Sequence, residues 1–231
     1  MKIGFNLLLW TTNLGLKDFH LLEKLKKAGY DGVEVPIFEG SPEHYHSISE
    51  RLKNLDLECT GISVIPDEEH NPISSNKLNR NKAKDFLKWA VDCNQALNSK
   101  IMCGPFHQPL AQFSGIPPTT IEKENGSEVH KEVANYAKKF DITESISSMD
   151  ENRKQKILEQ TNDLGVDVAI VATSSLKALE DAIDMVRKGG TVMMFGVPSK
   201  GAMINLDMST IYSKEITLVT SYAASDGDTK A

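Results

Sequence analysis

No stretch of this 231-residue sequence is built to cradle a phosphate or to activate a nucleophile. It contains no G-x-G-x-x-G, no G-x-x-x-x-G-K-[ST], no H-E-x-x-H and no G-x-S-x-G. Cysteine is scarce. Cys59, Cys93 and Cys103 are odd in number and lack C-x-x-C spacing, which argues against a disulfide framework or a zinc knuckle and fits a reducing compartment. No apolar run approaches the roughly 18 residues of a membrane span. Met1 to Trp10 turns polar at Thr11 too soon to form a signal h-region. The expected location is cytoplasmic. The formal net charge of −6 comes without a basic block, so counterion release has no source and a nucleic-acid partner is not expected.

What remains is ordinary globular material. Hydrophobic residues make up 40% and charged residues 25%, enough apolar surface for a sizeable core. Short apolar runs alternate with helix-period stretches, the pattern of βα units around a parallel sheet, so the fold class is α/β. Strands are expected at Ile3 to Trp10, Gly32 to Pro36, Leu57 to Ile65 and Lys100 to Gly104. Helices are expected near 17–28, 42–54 and 76–98, the last carrying Ala83, Phe86, Leu87, Ala90, Cys93 and Leu97 at helical spacing. These four units are half of what a closed (β/α)8 barrel needs.

The texture changes between Phe113 and Ser127, where Gly115, Pro117 and Pro118 precede a run of charged and polar residues. This gives a first segment over 1–114, a linker over 115–127 and a second segment over 128–231. The second segment has a helix face at Val129, Val133, Ala137 and Phe140, a weak strand at Ile142 to Ile146 and a polar helix around 150–161. Val166 to Ala172 reads as a strand buried on both faces. A helix through Leu176, Leu179, Ile183 and Val186 is expected to end at Gly189-Gly190. Thr191 to Val197 and Glu215 to Thr220 complete the strands.

In a parallel sheet, function gathers at the carboxyl ends of strands. Glu34 could hydrogen-bond a sugar hydroxyl there, or be a solvated strand end with about equal weight. Asp67-Glu68-Glu69-His70 is favoured roughly three to one as a solvated loop over a metal cluster, because consecutive residues rarely converge on one ion. His44 and His46, two apart on a helix, lie on different faces and read as surface groups. His107, after Gly104-Pro105-Phe106, is the foremost functional histidine, with a structural role at least as probable.

Met1 to Trp10, Asp31-Gly-Val-Glu-Val-Pro36, Val64 to Ile73 and Cys103-Gly-Pro-Phe-His107 resemble the xylose-isomerase-like barrels that include ketose 3-epimerases and sugar phosphate isomerases. The resemblance covers about residues 1–120. It implies Asn6, Trp10, Glu34, Thr60, Gly104, Pro105 and His107 as sugar-pocket positions. In that family the divalent metal and both catalytic carboxylates come from the last four strands, which are not recognisable here. From about Glu128, and most clearly at Gly165 to Ser174 and Lys188 to Pro198, the chain is similar to the nucleotide-binding domain of medium-chain sorbitol and alcohol dehydrogenases. That likeness implies Val171, Ala172, Thr173, Gly196, Val197 and Ser221 along a cofactor groove. It begins after the Gly-rich turn that supplies most of the binding free energy.

The resulting expectation is a hybrid: a half barrel followed by a partial Rossmann-like parallel sheet, with a single composite eight-stranded closure as the alternative. Neither segment contains all the residues its parent chemistry needs, so no catalytic residue and no metal ligand is assigned. The nearest enzyme class is a sugar isomerase or epimerase. No cofactor is expected, with Mn²⁺, Mg²⁺ and NAD as weak candidates. A metal-dependent epimerase with a rebuilt site, or a non-catalytic protein that self-associates through unpaired strand edges, are the rivals.

Overall fold

The computed structural model describes residues 2–110, 112, 118–140, 146 and 151–220. The chain divides into two compact units, Met1–Ser145 and Ile146–Ala231.

In the first unit, β1 (Gly4–Asn6), β2 (Gly32–Pro36), β3 (Glu58–Ile62) and β4 (Met102–Cys103) form a parallel sheet in chain order. Helices α1 (Phe19–Lys27), α2 (Pro42–Asn54) and α3 (Lys77–Ala96) connect them. Alternation along β2 sends Val33 and Val35 into a core with Leu22, Leu25, Ile48, Leu52 and Leu97. Gly32 and Glu34 therefore face the other side of the sheet. The apolar run Ile3 to Trp10 is not one strand. Asn6 accepts a hydrogen bond from the Leu8 backbone N–H at 2.8 Å and starts a short 3-10 turn over Leu7–Leu9.

The proposed linker is largely helical. Helix α4 (Thr120–Ala137) occupies its residues 120–127, and the Thr119 hydroxyl and Glu122 carboxylate cap each other's backbone N–H groups. Helix α4 packs along α3. Val129 is fully buried with Ile65, Ala83 and Leu87. Lys84, 8% exposed, reaches Glu128 at 2.7 Å and Glu132 at 2.9 Å, while Lys88 holds Glu132 at 2.6 Å. Tyr136 donates to Asp92 at 2.7 Å. Breaker content alone misplaced this segment, because one burying face and a capping box outweigh two prolines that precede the first turn.

In the second unit, α5 (Arg153–Gln160) precedes β5 (Val166–Val171), α6 (Leu176–Met185), β6 (Val186–Met194), α7 (Met208–Lys214) and β7 (Thr217–Thr220). The three strands form a parallel sheet in the order β5-β6-β7, separate from the first sheet among the described residues. Among the described residues, the strands are thus hydrogen-bonded as two sheets of four and three rather than as one of eight. The expected strand at 142–146 lies outside the described residues apart from Ile146. Two further expectations change. Gly189-Gly190 lies inside β6, because the chain leaves α6 at Val186 in an extended conformation and Val186 already pairs with Val166. Strand β5 is buried on one face only: Val171 packs on Leu179, Ile183 and Val192, while Val168 and Ile170 are 55% and 63% exposed. Helix α7, capped by Asp207, has no counterpart in the sequence reading.

Among the described residues, no helix is long and apolar enough to cross a membrane.

Candidate functional site

The register of the first sheet sets Asn6, Glu34 and Thr60 side by side across β1, β2 and β3. Residues in one lateral row share a face, and these three meet at the Glu34 carboxylate. The Asn6 amide donates to Oε2 at 2.7 Å, and the Thr60 hydroxyl reaches Oε1 at 3.4 Å, the longer and weaker contact. A fourth residue joins them. Cys103, at the end of β4, donates its thiol to Glu34 Oε1 at 3.0 Å. Burial pushes that thiol up to about 12, and the bond to Glu34 and its negative charge push the same way. The thiol stays protonated at neutral pH and acts as a donor rather than a nucleophile.

Asn6, Glu34 and Thr60 are among the residues that line a cavity of about 800 Å³, which also takes in Phe5, Val33 and Cys59 from the opposite face of the sheet. Its walls come from the amino-terminal ends of the strands: Lys2 and Ile3 before β1, Asp31 before β2, Leu57 and Glu58 at β3, Lys100 and Ile101 before β4. The cavity thus opens opposite to the carboxyl ends where such sheets usually bind. The strands are short enough, at 3, 5, 5 and 2 residues, for a mid-strand row to be reached from that side.

Of the seven residues expected in a sugar pocket, Asn6, Glu34 and Thr60 line this cavity; Trp10, Gly104, Pro105 and His107 do not. Trp10 stacks on Phe5 with ring centroids 4.2 Å apart. Gly104 has a structural reason to be glycine: its φ is +146°, and a Cβ there would lie 1.7 Å from the Ser63 carbonyl oxygen. His107 follows the Phe106 carbonyl that His130 contacts at 2.7 Å; burial and the charge of His130 hold its pKa below the ordinary value. Sequence reasoning passed over Cys103. Its placement opposite Ile62 in the β3–β4 ladder is the signal, and it requires the register.

The acidic run behaves as a self-contained loop. Asp67 pairs with His70 at 2.7 Å, Glu68 accepts from Asn71, and Glu69 pairs with Lys82. Among the described residues, no group of three or more His, Cys, Asp or Glu side chains is placed to hold a metal ion. The donor set of the described residues therefore does not fit the divalent metal of the epimerase resemblance.

In the second unit, Val171, Thr173 and Gly196 line a cleft of about 10 Å³ with Ser174, Ser175 and Leu176; Ala172 and Val197 are outside its lining. Ser221 lies outside the described residues. A dinucleotide site needs hundreds of cubic ångströms. Here a Cβ on Gly196 would fall 2.3 to 2.5 Å from Thr173 backbone atoms, so the two strand ends are in direct contact. At the N-terminus of α6 the Ser175 hydroxyl accepts from one backbone N–H, that of Ala178. These residues do not fit a nicotinamide dinucleotide.

Comparison with known proteins gives two likenesses, one in sequence and one in fold. Residues 126–231 match the family model described as zinc-binding dehydrogenase. D-arabinitol dehydrogenase 1 of Uromyces fabae is 31% identical over 119 residues, covering 48% of this chain and 34% of that protein. Sorbitol dehydrogenase of Bacillus subtilis (strain 168) is 35% identical over 82 residues, covering 36% and 23%. The chain therefore spans about a third or less of the curated relatives it matches. Among solved structures, D-allulose 3-epimerase from Methylomonas sp. in complex with D-allulose superposes with a TM-score of 0.58 at 16% identity, over 95% of this chain and 83% of that one. At that identity the likeness is one of fold. The chain is similar to polyol dehydrogenases in the sequence of its second half, and to a ketose 3-epimerase in architecture.

Proposed function

We propose that the chain is a hybrid whose first unit holds a small polyhydroxylated molecule on the Asn6–Glu34–Thr60 row without turning it over. One observation carries this reading: both Glu34 oxygens already accept hydrogen bonds, from Asn6, Thr60 and the Cys103 thiol. Moving a proton at a carbon beside a carbonyl needs a free base on one face, an acid on the other and positive charge or donors for the enediolate. The other carboxylates of the cavity are engaged at its mouth. Asp31 accepts the Ile3 N–H at 2.7 Å, and Glu58 pairs with Lys2. Glu34 suits a hydroxyl-binding role better than that of a base.

The test is deuterium exchange at C3 of a ketohexose with Mn²⁺ present. Exchange should match the buffer rate. Faster exchange that disappears in Glu34→Gln would overturn the reading.

For the second unit, the narrow cleft and the close approach of Gly196 to Thr173 support weak nicotinamide binding at most. Titration calorimetry with NADH should give a Kd no tighter than about 1 mM, roughly 4 kcal/mol. A micromolar Kd would show that a cofactor groove forms after all.

A further inference from the structure

Helix α4 carries a chemically labile pair near its middle. Asn125-Gly126 is an Asn-Gly step, and the sequence contains no other. Such a step is prone to deamidate, because glycine places no Cβ in the way of ring closure. Glycine also weakens a helix interior, yet packing requires it here: Gly126 is buried, and a Cβ would lie 3.1 Å from Ile73 Cγ2. The Asn125 amide is held on the loop that leads into α3. Its Nδ2 donates to the Ile73 carbonyl at 3.3 Å and to the Ser74 carbonyl at 3.1 Å, and Arg80 donates to the same Ser74 carbonyl at 2.8 Å. The grip of α4 is otherwise narrow. Of its 18 residues only Gly126 and Val129 are buried. The ion pairs from Lys84 and Lys88 end on Glu128 and Glu132, whose side chains are about half exposed.

We propose that Asn125 is a deamidation site gated by the docking of α4, and that its conversion makes undocking of α4 irreversible. The step is intramolecular. The Gly126 backbone nitrogen loses its proton and bonds to Asn125 Cγ, the Cγ–Nδ2 bond breaks, and Nδ2 departs with a proton as ammonia. Water then opens the succinimide. Opening at Cγ gives aspartate; opening at the α-carbonyl gives isoaspartate, whose main chain runs through Cβ and Cγ and is one carbon longer. While α4 is docked this chemistry is blocked twice. The helix commits the Gly126 N–H to its own ladder and turns that nitrogen away from Cγ, and the two loop carbonyls fix the amide. Both blocks lift when α4 opens locally. Neither product fits back. A carboxylate at position 125 has no hydrogen to give the Ile73 and Ser74 carbonyls. It also stands three residues from Glu122 and from Glu128, a spacing at which like charges on a helix repel. Arg80 can turn toward that carboxylate, which makes aspartate the milder product. Isoaspartate breaks the helical repeat as well.

The full chain is incubated at neutral pH beside a synthetic peptide of residues 119–131, which sets the unprotected rate. Peptide mass spectrometry follows the one-dalton gain at Asn125, and enzymatic isoaspartyl methylation follows the longer-chain product. Conversion in the full chain should be slower than in the peptide by about tenfold or more, the ratio reporting how rarely α4 opens. Val129→Ala should speed conversion in the full chain by about tenfold through lost packing. Glu132→Gln, which removes two exposed ion pairs and leaves the core whole, should speed it about threefold, and carries the test if Val129→Ala does not fold. After separation by charge, the isoaspartate-bearing fraction should exchange its α4 amide hydrogens faster than the unmodified fraction. The proposal is overturned if Asn125 converts in the full chain at the peptide's rate, if neither folded variant converts faster than the parent, or if α4 in the converted fraction exchanges as slowly as in the unmodified one.

Discussion

Gly104→Ala is expected to destabilise the first unit by about 3 kcal/mol, the combined scale of an unfavourable φ and overpacking. The residue sits at φ +146°, and its missing Cβ is where the Ser63 carbonyl oxygen approaches. Neither atom has slack. Ser63 is fully buried, its N–H donates to the Cys103 carbonyl at 3.0 Å, and its hydroxyl donates to the Ile37 carbonyl at 2.7 Å. Because β4 is only Met102–Cys103, a displaced Ser63–Cys103 bond removes much of its ladder. The Cys103 thiol then leaves Glu34. Urea unfolding followed by the fluorescence of Trp10 and Trp89, the two tryptophans of the chain, reads this unit alone. A variant within 1 kcal/mol of the parent would mean that the chain does not pass so close to Ser63.

Val129→Asp should cost about 3 to 4 kcal/mol, because it places an unpaired carboxylate in a dry seam. Val129 is fully buried against Ile65, Ala83 and Leu87. Its neighbours on α4, Glu128 and Glu132, add like charge. The pH dependence separates this effect from simple loss of packing. In the parent, hydrogen bonds from Lys84 to Glu128, and from Lys88 and Lys84 to Glu132, hold both carboxyls below the ordinary glutamate range. Their contribution is complete above the unfolded value and is lost as pH falls through the depressed folded values. A buried aspartate has a raised folded pKa, so its penalty shrinks as pH falls. The gap between variant and parent should therefore narrow on acidification. Val129→Ala, which leaves a cavity but no charge, should cost about 2 kcal/mol without narrowing in that way. A Val129→Asp protein as stable as the parent would show that α4 is not seated on α3.

Legibility in the sequence follows how local the deciding force is. Strand β2 and helix α2 are read to the residue, because alternating valines and a Ser-Pro start followed by a helical apolar stripe are local signals. Helix α4 carried an equally local signal, Thr119-x-x-Glu122, which the prolines before it obscured. Gly189-Gly190 could not be placed locally, since its position inside β6 depends on Val186 finding Val166. The exposed face of β5 was illegible for the same reason: Val168 and Ile170 have the composition of a doubly covered strand, and only the tertiary arrangement reveals which side lacks a cover. At the candidate site, Asn6, Glu34 and Thr60 came from resemblance, and the structure brings them together. That Cys103 joins them, and that the cavity opens at the amino-terminal side, depend on register and strand length.

The two-residue repeat of β2 ties the first unit's core and its candidate site to one another. Val33 and Val35 point to the helices, while Glu34 points the other way, to Asn6 and Thr60. Inserting or deleting one residue ahead of them would exchange the faces, driving the carboxylate in among Leu22 and Ile48 and turning the valines toward water. Such a length change cannot be silent at the site, since it is paid for at once in the core. Replacement of Glu34 by another side chain carries no such penalty. The chemistry presented at position 34 is thus free to drift by substitution, whereas its frame is closed to insertions and deletions.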